Sequence, residues 1–482
     1  MANDMVGWGI LVLVLTAATS STQAKRYDRY QVIKIGPVTD NSQLAAVRAL
    51  QEECDDQEAI MMDADFVNAM RRPVLLAFGP KRVNSIKVDL RSRGIPVVVV
   101  TRDLQVELDH TKKENNAARR RAHPPLRRND GSRLSNPWKC LLRLARGKSW
   151  RTWARHILSD PNWRRYICSG IPKTWHGVPL LPNYFFNAVE IVQWMVEVAR
   201  ASKIATVYSI GKTYEGRDTT AIKINEKRRK LPIVWVDAGM HAREWLSVST
   251  ALYLIHTILF SKDRDAVYLR NNFRWYIVPT SNPDGYAYSH TADHRMWRKN
   301  RKPTSNNCIG TDLNRNFDFH WGQFGSSKNA CSPIYRGKYP FSEVETRNLR
   351  DSIWPIRRQV KLLLNLHTYD QAWVLPYLGL HKRPADYAAL ETLAKKAVAS
   401  LKKVHGKIFR VGRLDDVYGY KVSGSLLDWA YDKAKIKYTY LPELRPAMRS
   451  QGGFTPPISF ILPSGEELFA ALVTCCRHIA KL

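Results

Sequence analysis

The run Asp237-Ala-Gly-Met-His241-Ala-Arg243-Glu244-Trp-Leu joins two different textures of chain. An apolar stretch, Leu231 to Val236, precedes it, and a long apolar-periodic stretch, Leu246 to Phe260, follows. The pattern predicts a buried strand, a turn and then a helix. His241 and Glu244 are three residues apart, so on a helical turn they share one face. An imidazole nitrogen and a carboxylate oxygen aimed the same way are two thirds of a catalytic zinc site. Such sites use three protein ligands and keep a position for water. His-x-x-Glu alone is a weak signal, and a third ligand must come from elsewhere. His367 closes the apolar strand candidate Leu362 to Leu366 and is followed by Thr368 and Tyr369. Ligands of open α/β sheets gather where strands end, so His241, Glu244 and His367 can converge.

Four further motifs stand in order along the chain. Asn282-Pro-Asp-Gly-Tyr286 follows the strand candidate Arg274 to Val278, and Arg295-Met-Trp-Arg298-Lys-Asn-Arg301 comes next. Asp312-Leu-Asn314-Arg315-Asn316-Phe317 lies between Cys308 and Cys331. Tyr420-Lys-Val-Ser423-Gly-Ser-Leu-Leu427-Asp428-Trp429 leads into a helix candidate, and Tyr438-Thr-Tyr-Leu-Pro-Glu443-Leu-Arg445 ends a strand with a carboxylate. In order, spacing and flanking context this set resembles the zinc carboxypeptidase A/B family from about Tyr184 to Leu482.

The resemblance implies one zinc ion held by His241, Glu244 and His367. It implies Glu443 as general base and Arg298 as the electrophilic partner of the scissile carbonyl. Arg243, Asn314, Arg315 and Tyr420 match substrate-binding positions, with Tyr369 beside them at the strand end. Cys308 and Cys331 match the family disulfide. These roles suit the residue types. A carboxylate can take a proton from water and deliver it to the leaving amine. A guanidinium can stabilise the oxyanion of a tetrahedral intermediate. A planar arginine fork with an amide beside it suits a terminal carboxylate, which would make the enzyme an exopeptidase. Leu427 matches the position at the floor of the specificity pocket. An apolar residue there implies removal of aliphatic or aromatic C-terminal residues from peptides and proteins, with Asp415-Asp416 as nearby acids. The stretch Gly412 to Tyr420 is one residue longer than the family spacing, so Tyr418 rivals Tyr420. Ser425 and Leu426 replace a smaller pattern near the pocket, and Pro442 removes a backbone donor before Glu443.

The elements that must position these residues are visible as periodicity. Helical patterns cover Phe186 to Ala201, Ser247 to Phe260, Pro384 to Val404, Leu426 to Asp432 and Glu466 to Ile479. Strand patterns cover Ala221 to Ile224, Ile233 to Asp237, Arg274 to Val278, Leu362 to His367 and Lys437 to Leu441. Buried strands alternating with helices predict an α/β fold with a mixed, mostly parallel sheet flanked by helices. Upstream, strand patterns at Gln31 to Gly36, Pro73 to Phe78 and Pro96 to Thr101 mix with helical ones near Asn41 to Glu53 and Asn84 to Ser92. They predict a small α+β module.

The expected organisation is a signal peptide over 1–24, a module over 25–115 that the resemblance implies is an inhibitory prosegment, a basic connector over 116–175 and the catalytic domain over 176–482. Val6 to Ser20 is apolar but short for a membrane span, and Thr22-Gln-Ala24 offers small residues for cleavage. No later stretch reaches 18 consecutive apolar residues, so no transmembrane segment is expected. The chain of 482 residues carries a formal charge of +32. From Lys112 to Arg165 sixteen Lys and Arg face three Asp and Glu, with Trp138, Trp150, Trp153 and Trp163 among them. Such a segment fits a linker open to a trypsin-like activating protease, and also a contact for polyanions. Cys140 to Leu158 could form a basic amphipathic helix within it. The seven cysteines leave at least one without an intrachain partner; Cys308 and Cys331 flank a Gly/Ser/Asn-rich stretch and could close it in an oxidising compartment. Pairing of Cys54, Cys140, Cys168, Cys475 and Cys476 stays open. The reading is a secreted zymogen. The competing reading is a catalytically impaired protein of the same fold that binds peptides or polyanions.

Overall fold

The computed structural model describes residues 26–52, 59–62, 73–122, 174–175, 178–179, 183–291, 294–380 and 382–482. The expected signal peptide, most of the basic connector and the helix expected from Cys140 to Leu158 lie outside the described residues.

Four parallel strands, Ile233–Asp237, Arg274–Val278, Val360–Asn365 and Tyr438–Leu444, form the centre of the large sheet. Ile233–Asp237 and Arg274–Val278 are buried at every position, because helices cover both faces. Asp218–Ile224 and Ala205–Lys212 extend one edge antiparallel. On the other edge Ala372–Leu375 runs antiparallel to Tyr438–Leu444, and Arg410–Arg413 pairs parallel with it. The mixed, mostly parallel sheet is as expected.

One face carries the helices Ala188–Ala201, Trp245–Phe260, Tyr387–His405 and Ile461–Ile479 over a core that includes Trp194, Leu252, Leu364 and Leu472. The other carries Val344–Ile353 and Leu426–Asp432 over Trp235, Leu363 and Trp429. Ile458–Ile479 is long and apolar enough to cross a membrane by composition, yet Leu468, Leu472, Cys475 and Cys476 are buried in the core. The helix expected from Phe186 starts at Ala188, because Asn187 and Glu190 form a reciprocal capping box. The strand expected to stop at Leu441 runs through Pro442, opposite Trp373, and carries Glu443.

The N-terminal module is an antiparallel sheet in the order Ala59–Met61, Val74–Phe78, Gln31–Ile35, Val97–Thr101. Alternation sorts its residues. Ile33, Ile35, Val74 and Leu76 face a core with Val47, Ile86 and Leu90 from two helices, Asn41–Glu52 and Val83–Ser92. Val32 and Ala77 face the other way. A third helix, Leu104–Ala122, was not anticipated and carries Arg119-Arg120-Arg121 beyond the expected boundary at 115. Docking explains its length. Asn115 Oδ1 accepts from Phe185 N (2.7 Å), its Nδ2 donates to Phe185 O (3.2 Å), and Arg119 pairs with Glu190 at 2.8 Å.

Candidate metal centre

His241 and Glu244 do not lie on a helix, contrary to the expectation from their spacing. The helix begins at Trp245, and Glu244 occupies its N-cap position at φ −89°, ψ 58°. The two side chains meet because the backbone turns between them, with Glu244 N donating to His241 O at 3.2 Å. Gly239 opens this turn at φ +60°, and a Cβ there would lie 2.8 Å from Val248, so glycine is required. The turn leaves the carboxyl end of Ile233–Asp237, and His367 lies just past the carboxyl end of the neighbouring Val360–Asn365.

The three side chains are buried, and their ligand atoms all lie within 4.8 Å of one another. His241 Nδ1 is 2.7 Å from Glu244 Oε1, His367 Nδ1 is 3.0 Å from Glu244 Oε2, and the two Nδ1 atoms are 3.1 Å apart. The opposite nitrogens face oxygens: His241 Nε2 is 3.1 Å from Asp312 Oδ1, and His367 Nε2 is 2.7 Å from Asn365 Oδ1. Asn365 is oriented by donating its amide to Asp237 Oδ1 at 2.6 Å. With each Nε2 proton given outward, both Nδ1 lone pairs and the carboxylate point at one centre with no proton to share. That arrangement calls for a cation, and outward hydrogen bonds from ligand imidazoles are how protein metal sites hold their ring orientation.

The electrostatics agree. Burial lowers the pKa of His367 more than Glu244 raises it, which favours the neutral imidazole that binds metal. Burial opposes ionisation of Glu244, but the two imidazoles outweigh it and its carboxyl is held far below the usual range. Burial likewise opposes ionisation of Asp312, yet Arg298 and Arg315 keep it well below its ordinary value. Among the described residues no cation pairs with Asp237, and burial pushes it up to about 7 against its bonds from Asn365 and Trp235.

Asp312 is the organising residue that sequence reasoning quoted but gave no role. Besides His241 it accepts Arg298 through Nε (3.1 Å) and Nη2 (2.8 Å), and its Oδ1 accepts from Asn314 N at 2.9 Å. Arg298 Nη1 thereby stands 3.9 Å from Glu244 Oε1. Asn314 lies beside the metal ligands, its Nδ2 3.4 Å from His367 Nε2, and Arg315 is buried beside it with Nε donating to Gly325 O. Glu443 is half-buried and sits in register with His367 on the paired strand. Asn365 and Asp237 were also missed. Their signal was alternation, since Asn365 precedes His367 by two residues and points the same way.

The remaining expected residues fall into two neighbouring groups. Arg243 lies over the Phe454 ring at 4.0 Å, and Tyr369 meets the same ring edge-on at 4.8 Å. Tyr420, Tyr418 and Leu427 are buried together in an apolar cluster with Val374, Leu378, Val422 and Leu441. Asp416, one of the nearby acids, is held by Arg413 through two hydrogen bonds of 3.1 and 2.9 Å. Cys308 and Cys331 form a disulfide closing the loop that carries Asp312, Asn314 and Arg315. Buried Cys475 and Cys476 are free thiols.

A three-ligand metal centre at the carboxyl edge of a mostly parallel, helix-covered sheet places the protein among α/β metalloenzymes. Residues 191–471 match the family model described as zinc carboxypeptidase. The chain is 40% identical over 273 residues to a zinc carboxypeptidase of Simulium vittatum, covering 56% of this chain and 88% of that one. It is 39% identical over 295 residues to carboxypeptidase B of Astacus astacus, covering 60% and 95%. The crystal structure of carboxypeptidase A from Helicoverpa armigera superposes with a TM-score of 0.74 at 23% identity, covering 95% of this chain and 99% of that one, so the shared fold includes the N-terminal module. The chain belongs to the zinc carboxypeptidase family and is a zinc metallocarboxypeptidase acting on peptide C-termini.

Proposed function

We propose that the protein is made as a secreted zymogen whose mature form removes apolar C-terminal residues. The observation that carries the zymogen reading is the covering of the site mouth. Tyr369, two residues past the ligand His367, donates its hydroxyl to the carbonyl of Met62 at 3.2 Å. Around it the second face of the N-terminal sheet, with Val32, Ile60, Met62 and Ala77, packs on Met296, Tyr369 and Phe454. A peptide cannot reach the metal centre over Tyr369 while this face is seated. Cleavage in the basic connector by a trypsin-like protease would free it. Arg119 is held to Glu190 within a helix, so the paired arginines Arg127-Arg128 and Arg164-Arg165 are the better targets. The same basic stretch remains a candidate contact for polyanions. The Cys308–Cys331 disulfide supports an extracellular setting.

In the mature enzyme the residues divide the work as follows. The chemistry supplied by zinc between the three ligands is activation of a water and polarisation of the scissile carbonyl. Glu443, beside His367, takes the water's proton and passes it to the leaving amine. Arg298, fixed by Asp312, stabilises the developing oxyanion. Arg315 and Asn314 bind the terminal carboxylate, with Tyr420 closing over it. Leu427 and its apolar neighbours set the preference for an apolar side chain, and Asp416 is neutralised by Arg413.

The test is release of C-terminal Phe or Leu by trypsin-treated recombinant protein, abolished by a chelator and absent before trypsin. Activity without trypsin would remove the zymogen reading. Faster release of Lys or Arg would remove the Leu427 argument and leave the rest.

A further inference from the structure

Arg449 sits where the N-terminal module meets the rim of the metal centre. It opens the short helical turn Arg449–Gln451 and is 94% buried. Its Nη2 donates to Glu107 of that module at 2.8 Å, while Nε and Nη1 have no hydrogen-bond partner among the described residues. Burying a guanidinium with two unused donors is costly unless the site serves something else. Glu107 is aimed by Thr101, whose hydroxyl donates to its other oxygen at 2.6 Å.

The position relative to the cleaved bond follows from Gly453. A Cβ built there would lie 3.2 Å from the Tyr369 ring and 3.3 Å from Arg449 Cα. The wall running outward from His367 is therefore Tyr369, then Phe454 and Gly453, then Arg449. Arg315 and Asn314, to which the terminal carboxylate is assigned, cluster instead around Asp312, the residue that His241 Nε2 faces. The wall from Tyr369 to Arg449 is then left for the peptide upstream of the cleaved bond. In the covered state the N-terminal module already places a backbone carbonyl, Met62 O, on Tyr369 and a carboxylate, Glu107, on Arg449.

Building on the zymogen reading, we propose that Arg449 is a binding subsite for an acidic side chain upstream of the cleaved bond, held by Glu107 until the N-terminal module leaves. An incoming Glu or Asp replaces Glu107 and uses the idle donors, a charge-assisted contact of the strong kind. Residues 176–482 alone carry 45 Lys and Arg against 26 Asp and Glu, a net charge of +19 that attracts such peptides at long range.

The test uses the trypsin-activated enzyme and peptides ending in Leu, with Glu, Gln or Lys placed in turn at each position upstream of the cleaved bond. At one position Glu should exceed Gln by about ten-fold in kcat/KM, with Lys the poorest, and the advantage should shrink at high ionic strength. Arg449→Gln should bring the Glu-to-Gln ratio close to one, and Arg449→Lys should keep part of it. A wild-type ratio of one at every position overturns the proposal, even should Arg449→Gln fail to fold. A Glu advantage that survives Arg449→Gln also overturns it, because another cation such as Arg243 would then provide it. Failure to cleave the Gln peptides at all would instead count against the apolar carboxypeptidase reading.

Discussion

Asn365→Leu isolates the part of the metal centre that lies behind the ligands. Leucine is close in size, so the change leaves little cavity, but it removes the acceptor of His367 Nε2 at 2.7 Å and the amide donated to Asp237. The ring N–H is then buried without a partner, which costs about 1–3 kcal/mol. With about 1.4 kcal/mol per factor of ten, zinc affinity should fall by roughly 5- to 150-fold. Loss of a hydrogen bond behind a ligand imidazole weakens metal binding by about 10- to 100-fold, in agreement. Asp237 keeps the indole of Trp235 at 3.1 Å and, being pushed up to about 7, accepts a proton instead of remaining an unpaired charge. The variant should therefore fold. The assay is competition between zinc-free protein and a chromophoric chelator, with thermal melts of the zinc-free wild type and variant alongside. A folded variant binding zinc within about two-fold of wild type would refute the reasoning, since the ring's orientation would then owe nothing to Asn365.

Two further outcomes follow from the same geometry. Glu443→Gln should lower kcat by about 100- to 10,000-fold, with zinc content by atomic absorption unchanged, because Glu443 adjoins His367 without being one of the three ligands. Asp428 is pushed from 3.8 up to about 8, chiefly by burial and against the backbone N–H groups of Leu378 and Gly379. The folded state thus holds this proton more tightly than the unfolded chain. Its contribution is complete below about pH 4 and fades as pH climbs through the folded value. Asp428→Asn should flatten the decline in urea stability between about pH 4 and pH 8, and an unchanged slope would discount the shift.

The metal centre was legible to different depths. His241, Glu244 and His367 could be named because metal ligands have few possible residue types and the apolar runs beside them mark strand ends. The reason His241 and Glu244 meet was misjudged. Their spacing fits a helical face, but the helix begins one residue later, and a backbone turn opened by Gly239 brings them together. Local periodicity cannot distinguish a first helical turn from the turn before it. Asn365 and Asp312 went unassigned because asparagine and aspartate acting behind a ligand carry no spacing rule; their partners are 2 and 71 residues away in the chain. The helix Leu104–Ala122 was obscured by its polarity. Its length is supported by bonds to Phe185 and Glu190, which no pattern within the helix encodes.

By itself the sequence determined the alternation of buried strands and helices, the ligand types, the apolar residue at 427 and the basic stretch beyond Lys112. These are properties of single residues and short runs, written in hydrophobic period and side-chain chemistry. Tertiary structure alone decided which nitrogen of each histidine faces the metal, which carboxylate fixes Arg298, that the N-terminal sheet turns its second face onto Tyr369, and that Glu107 of the helix after it meets Arg449. Those are relations between segments far apart in the chain, set by how the sheet closes and how two modules bury their apolar faces. Val32 and Ala77, which alternation places on the second face of the sheet, are buried only once the surface they meet exists.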